Sequence, residues 1–195
     1  MMENALIVSN SENGAASIAE MINAASIREI VALKSCGEAQ RLLLERDFDL
    51  TVINAPLADE SGENLSRHIA SKSISQVILI VKSEFFDSVS AVCEEDGVLT
   101  ISKPVNRAVF WSALKLAGSV QNRLKRVQAE NARLKQKIED IRIIDRAKCL
   151  LISYLNMSEQ EAHRYIEKQA MDLRSSRRAV AEGILKMYEN WKETS

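Results

Sequence analysis

The chain has 195 residues, of which 46% are hydrophobic and 27% charged, and its formal net charge is −1. This length and composition support one domain of ordinary size plus a smaller one, each with a hydrophobic core. The three cysteines show no disulfide or metal spacing and no stretch approaches 18 apolar residues, so we expect a cytoplasmic protein without membrane segment, metal or cofactor.

Charge is distributed unevenly along the chain. Residues 1–117 hold 10 Lys and Arg against 16 Asp and Glu, residues 118–141 hold 6 against 3, and residues 142–195 hold 10 against 8. An acidic first part and a basic remainder favour different binding partners. We therefore divide the chain at these boundaries, into a first domain, a linker and a terminal module.

In residues 1–117, five short apolar runs alternate with five amphipathic segments. The apolar runs are Ala5–Ser9, Glu29–Lys34, Leu50–Asn54, Val77–Val81 and Val98–Ser102, and the amphipathic segments that follow them are Gly14–Ala25, Gly37–Glu45, Gly62–Ser71, Phe85–Glu94 and Asn106–Leu116. Continuous apolar runs are typical of parallel strands that are buried on both faces. The pattern predicts a flavodoxin-like (βα)5 domain with strand order 2-1-3-4-5, whose site lies at the carboxyl ends of the strands.

Two strings at these strand ends carry a family resemblance. The string DLTVINAPL at residues 49–57, and the later stretch from Gly97 to Ser102-Lys103-Pro104, resemble the receiver domain of bacterial two-component response regulators. The resemblance covers roughly residues 4–117 and implies the same α/β fold.

The phosphorylation site of that family is not matched. Where receivers place the phosphorylated aspartate, an acidic pair and a Thr or Ser, this chain has Asn54, the pair Ser9 and Asn10, and Val81; it keeps Lys103. An amide is not a nucleophile for phosphoryl transfer, and Ser and Asn are poor ligands for Mg²⁺. We interpret residues 1–117 as a pseudo-receiver whose input is a regulatory protein or a small ligand.

Residues 118–141 show the spacing of a coiled coil. Apolar residues recur at alternating spacings of four and three, with one asparagine among them, at Val120, Leu124, Val127, Asn131, Leu134, Ile138 and Ile141. An Asn at an a position favours a parallel two-stranded dimer in one register. We expect a homodimer through this seam; a single helix packed on its own domain is the alternative.

The terminal module, residues 142–195, reads as three helices. The first carries an apolar stripe, Ser158 and Glu161 form a capping box for a second helix over about Glu159–Leu173, and Ser175 or Ser176 caps a third over about Arg177–Trp191. The expected inward residues are Ile144, Ala147, Leu151 and Tyr154, then Ala162, Ile166, Ala170 and Leu173, then Val180, Ile184, Leu185 and Tyr188. Tyr165 and Met171 are expected to lie in the core or between helices.

Short strings in this module carry a second resemblance. IDRAKCLL at residues 144–151, MSEQEAH at 157–163, QAM at 169–171 and AEGIL at 181–185 resemble the ANTAR family of transcription antitermination regulators. The resemblance implies a dimer without enzymatic activity that binds paired small hairpins in nascent mRNA.

RNA contacts would come from polar and basic residues outside the apolar stripe, since Lys and Arg bind phosphates and side chains read loop bases. The candidates are Arg146, Lys148, His163, Arg164, Lys168, Gln169, Arg174, Arg177 and Arg178. Each also has a structural interpretation as part of a solvated, ion-paired helix face. A DNA-binding regulator and a dimeric scaffold without nucleic-acid binding remain alternative functions.

Overall fold

The computed structural model describes residues 2–23 and 27–193. They form two compact units, residues 1–127 and 128–195, which are described separately below. The strands are β1 (Asn4–Ser9), β2 (Glu29–Leu33), β3 (Leu50–Asn54), β4 (Gln76–Lys82) and β5 (Leu99–Lys103). The α-helices are α1 (Glu12–Asn23), α2 (Cys36–Glu45), α3 (Glu63–Lys72), α4 (Phe86–Glu94), α5 (Arg107–Leu155), α6 (Glu159–Asp172) and α7 (Arg177–Glu193).

The first unit contains a five-stranded parallel sheet in the order β2-β1-β3-β4-β5. This confirms the flavodoxin-like topology. The strands lie within one residue of the predicted apolar runs, and α1 begins two residues before the predicted Gly14. The predicted end of that helix, Ala25, falls outside the described residues. In the register of β1 and β3, Ser9 lies opposite Asn54, so two of the pseudo-receiver positions are neighbours at the carboxyl edge of the sheet.

Helices cover both faces of this sheet, which explains why its strands read as continuous apolar runs. One core contains Leu6, Val8, Ile53, Leu65, Leu79 and Cys93, and the other contains Ile7, Ile18, Val52, Ile78, Phe110 and Leu114. Cys36 and Cys93 are buried free thiols, and burial raises the pKa of Cys36 to about 12. The buried cysteines are therefore packing residues.

The last helix of the sheet domain and the heptad segment are one continuous helix, α5. Its first turns pack on the sheet through Phe110, Leu114 and Ala117, while Trp111 is partly buried. The next turn of α5 is also packed within the first unit, because Gln121 is fully buried there.

One buried carboxylate holds this part of α5. Asp49, immediately before β3, accepts hydrogen bonds from the Glu3 backbone N–H at 2.6 Å and from Gln121 Nε2 at 3.2 Å, and it forms a 2.7 Å ion pair with Lys125. Burial opposes ionisation, but these donors together hold the pKa of Asp49 below its ordinary value. Periodicity alone gives no sign of this contact.

In the second unit, the end of α5 packs with α6 and α7. Its buried residues are Ala147, Leu151, Ala162, Ile166, Ala170, Val180, Ala181 and Ile184. The capping box between Ser158 and Glu161 is confirmed, and Ser176 caps α7 by accepting the Ala179 N–H. None of the described helices has the length and apolar composition needed to cross a membrane.

Four expectations for this unit were wrong, the first at the end of α5, where Tyr154 was expected to point inward and is 40% exposed. Leu173 is 66% exposed because α6 ends at Asp172, so the helical period no longer carries the next side chain inward. Tyr165 and Met171 also lie on the outer surface. The α6 core stripe consists of Ala162, Ile166 and Ala170, at a strict spacing of four, which leaves no room for either.

Candidate functional site

Three of the positions that the receiver resemblance marks, Ser9, Asn54 and Lys103, form hydrogen bonds within the chain. Asn54 Nδ2 donates to Ser9 Oγ at 3.0 Å, and Ser9 Oγ donates to the Ser11 carbonyl at 3.0 Å. Gly14 lies directly over this pair: a Cβ there would come within 2.6 Å of Asn54 Nδ2. The glycine therefore permits the start of α1 to close over the crevice where a phosphoryl group would sit.

Lys103 lies at the end of β5 and its ammonium donates to the Ala55 carbonyl at 2.6 Å. Burial, together with the Lys82 cation, lowers the pKa of Lys103. Asn10 is exposed and Val81 is buried. Glu12, the nearest carboxylate in sequence, is the first residue of α1, where it pairs with Lys34 at 2.7 Å.

This edge of the sheet offers neither a nucleophilic carboxylate at Asn54 nor an acidic pair beside it. Within the described residues, no group of three His, Cys, Asp or Glu side chains could hold a metal ion. A cavity of about 330 Å³ lies beside Val81, lined by Ala55, Pro56, Phe85 and Val89 among others. Its lining is mainly apolar.

The heptad residues form an exposed apolar stripe on α5. Exposure ranges from 39% at Val120 to 58% at Ile141, with Val127, Leu134 and Ile138 between these values. Leu124 is half-buried and Asn131 is exposed. A stripe of exposed aliphatic side chains at this spacing is the expected surface of a helix that pairs with another helix.

Two of the nine candidate RNA contacts hold the second unit together. Lys148 is only 15% exposed and pairs with Asp145 at 2.8 Å and with Glu159 at 3.4 Å, which links α5 to the start of α6. Arg178 pairs with Asp140 at 2.8 Å and with Glu182 at 2.8 Å, which links α7 to α5. Hydrogen bonding to Asp145 raises the pKa of Lys148 despite its burial.

Glu167 on α6 engages two further candidates. Arg177, the first residue of α7, pairs with it at 3.1 Å, and His163 Nε2 lies 3.2 Å from the same carboxylate oxygen. These side chains are about half exposed, so the contacts leave part of each accessible to a partner. Arg146 is exposed and Gln169 is half-buried.

The other three candidates have a different environment. Arg164, Lys168 and Arg174 are exposed, and none forms a salt bridge of 4 Å or less with the parts of the chain described. Arg164 and Lys168 are one turn apart on α6, and Arg174 follows the end of that helix. Tyr165, which the sequence pattern places in the interior, is also exposed, at 38%.

The geometry of both units agrees with the comparisons to known proteins. The ANTAR domain family matches residues 132–185, a range that contains all nine candidate RNA contacts. The receiver domain of an HD domain-containing protein from Pseudomonas fluorescens Pf-5 superposes with a TM-score of 0.57 at 19% identity, covering 64% of this chain and 93% of that one. The chain therefore combines an ANTAR domain with the receiver fold. At that identity, the structural match shows the receiver fold alone.

Two curated proteins resemble this chain in sequence. The transcriptional regulatory protein PdtaR of Mycobacterium tuberculosis is 28% identical over 167 residues, 85% of this chain and 82% of PdtaR. The nitrate regulatory protein of Klebsiella oxytoca is 28% identical over 81 residues, 42% of this chain and 20% of that protein. Both names describe regulators rather than enzymes.

Proposed function

We propose that this protein is an RNA-binding transcription antitermination regulator. As a homodimer it binds paired small hairpins in nascent mRNA through residues 142–195, and residues 1–117 supply a regulatory input that does not use phosphorylation. It acts by binding in the cytoplasm, without catalysis. The observation that carries this proposal is a set of exposed cations inside the ANTAR match, Arg164, Lys168 and Arg174, which form no ion pair with the described residues.

Dimerisation is the second component. The exposed stripe from Val120 to Ile141 places apolar residues where a coiled coil requires them, and Asn131 occupies an a position. Two copies of the terminal module in one dimer match two adjacent hairpins, whereas a monomer would engage one. Residues 118–141 are the proposed dimer segment.

The input domain is the third component. Asn54, Ser9 and Lys103 make their hydrogen bonds within the chain, and Val81 has no hydroxyl to bind a phosphoryl oxygen. A protein partner or a small ligand in the mainly apolar cavity beside Val81 is the proposed signal.

The test is binding of the full chain to a labelled RNA with two adjacent small hairpins. A single-hairpin RNA and a duplex DNA serve as competitors, and affinity is measured between about 50 and 200 mM salt. We expect preference for the paired hairpins and an affinity that falls with salt, because phosphate neutralisation releases counterions. Equal binding to duplex DNA, or no nucleic-acid binding, would overturn the proposal.

A matched pair of variants locates the RNA-binding surface. Arg164→Ala/Lys168→Ala removes two exposed cations from α6, whereas Arg28→Ala/Lys72→Ala removes two exposed cations from the first unit. The first variant should bind RNA more weakly, and the slope of its log affinity against log salt should fall by about one for each phosphate that the removed cations neutralise. The second should bind like the wild type.

A further inference from the structure

The turn after the end of α6 contains an arginine in an unusual backbone conformation. Arg174 adopts a φ of 48°, in the left-handed region. Its N–H donates to the Met171 carbonyl at 3.2 Å and the Ser175 N–H donates to the Ala170 carbonyl at 2.9 Å. These two bonds are those of a Schellman cap, in which the left-handed position is usually glycine because any Cβ is crowded there.

A second left-handed residue gives a contrast. Asn156, after the end of α5, has a φ of 51°, and asparagine tolerates this conformation because its short side chain bonds to nearby backbone. Arginine lacks that advantage. The Arg174 side chain is exposed and makes no hydrogen bond or ion pair with the residues described. Packing and capping therefore give no reason for an arginine in place of glycine or asparagine.

A strained residue that the fold does not explain points to a function. We propose that the outer side of α6 and the turn that follows it form the RNA contact surface, with Arg174 binding a backbone phosphate and Tyr165 stacking on an unpaired loop base. This inference rests on the proposed RNA-binding function and specifies its site. Lys148 and Arg178 instead hold the helices of the module together.

Tyr165 has the properties of a stacking residue. It is 38% exposed, and within the described chain its ring has no aromatic neighbour and its hydroxyl no hydrogen bond. Lys168 follows Tyr165 by three positions, so a cation lies on the neighbouring turn of the same helix face. Aromatic rings near phosphate-binding cations are a common arrangement for single-stranded RNA, whose bases stack on them.

The first experiment separates stability from RNA binding at Arg174. Arg174→Gly removes the crowded Cβ, so the melting temperature of the full chain should stay the same or rise. Its affinity for the two-hairpin RNA should fall, and the slope of log affinity against log salt should be lower by about one. Arg174→Lys keeps the charge and should retain most of the affinity. Asn156→Gly changes the equivalent backbone position at α5 and should bind RNA like the wild type.

The second experiment tests stacking. Tyr165→Phe keeps the ring and should bind the RNA like the wild type, whereas Tyr165→Ala should bind about five- to hundredfold more weakly, the range for one base–aromatic stack. On an RNA whose loops carry abasic sites, wild type and Tyr165→Ala should bind equally. If the wild type binds RNA and both Arg174→Gly and Tyr165→Ala match it, the surface is wrong although the function stands. If the wild type does not bind RNA, the proposed function itself fails.

Discussion

Asp49 joins three parts of the first unit through one carboxylate. Its side chain is 12% exposed and contacts the Glu3 backbone, the buried amide of Gln121 and the Lys125 ammonium. Removing one partner from such a network leaves buried polar groups unsatisfied, which costs more than the net value of each bond. Asp49 therefore fixes the stretch of α5 that leaves the sheet.

We predict that Asp49→Ala lowers the free energy of unfolding of the first unit by about 1–3 kcal/mol at neutral pH, as measured by urea denaturation of the full chain. The pKa of this carboxyl is lower in the folded state than in an unfolded chain, because its three donors favour the charged form. Its ionic contribution is thus complete above the ordinary aspartate pKa of about 4 and disappears as pH falls through the lower, folded-state pKa. The difference between wild type and variant should shrink in that acidic range.

Glu12→Gln is the matched control, because the Glu12–Lys34 ion pair is exposed on both sides. Exposed pairs contribute little to stability, so this variant should unfold like the wild type. An Asp49 variant as stable as Glu12→Gln would show that the network does not hold α5.

Residue contacts of this kind are the part that the sequence could not reveal. Lys125 lies 76 positions after Asp49, and Asp140 lies 38 positions before Arg178. The sequence marked Lys148, Arg177 and Arg178 as RNA candidates because they are basic. Helix spacing offers Asp145 and Glu182 as partners, but not the more distant Glu159, Glu167 and Asp140. In the structure Lys148, Arg177 and Arg178 form ion pairs. Arg164, Lys168 and Arg174 are exposed and form none with the described residues.

At the scale of helices and strands, short-range sequence patterns predicted most of the elements. The capping box at Ser158 and the five parallel strands follow from short-range sequence patterns, and the structure has both. One failure occurs where a helix ends: Leu173 fits the apolar period of α6 but follows the last residue of that helix. An error of one residue at a helix end therefore moved a side chain from the core to the surface, next to the left-handed Arg174.

The heptad stripe of α5 leads to a prediction about oligomeric state. An Asn at an a position limits a coiled coil to one register and to two strands, at some expense of stability. Asn131→Leu should raise the melting temperature of the assembled form and produce species larger than a dimer in sedimentation equilibrium. Ala129→Leu adds the same side chain on the outer face of the helix. This variant should remain dimeric, and its melting temperature should not change.

A strictly monomeric wild type would contradict the proposed seam. So would an Asn131→Leu variant that remains a dimer of unchanged stability. In either case the exposed residues from Val120 to Ile141 would need a different partner from a second copy of this helix.

For the whole molecule, the central question is whether the first unit responds to phosphate. A small-molecule phosphodonor such as acetyl phosphate, with Mg²⁺, should neither label the protein nor change its affinity for the two-hairpin RNA. Aspartyl phosphate formation requires a carboxylate nucleophile and anionic oxygens around the metal, and the chain has Asn54, Ser9 and Asn10 at those positions. Intact-mass spectrometry and RNA binding measure the two outcomes.

Variants distinguish a missing nucleophile from a missing metal site. Asn54→Asp restores only the carboxylate and should remain unlabelled, because Ser9 and Asn10 still bind Mg²⁺ poorly. The triple variant Ser9→Asp/Asn10→Asp/Asn54→Asp supplies both and should be the first to accept phosphate. Even then, Val81 offers no hydroxyl to the phosphoryl group, so RNA affinity should not follow labelling. If the wild type is labelled, or if the phosphodonor changes its RNA affinity, the first unit is a phosphorylated receiver and the pseudo-receiver interpretation is wrong.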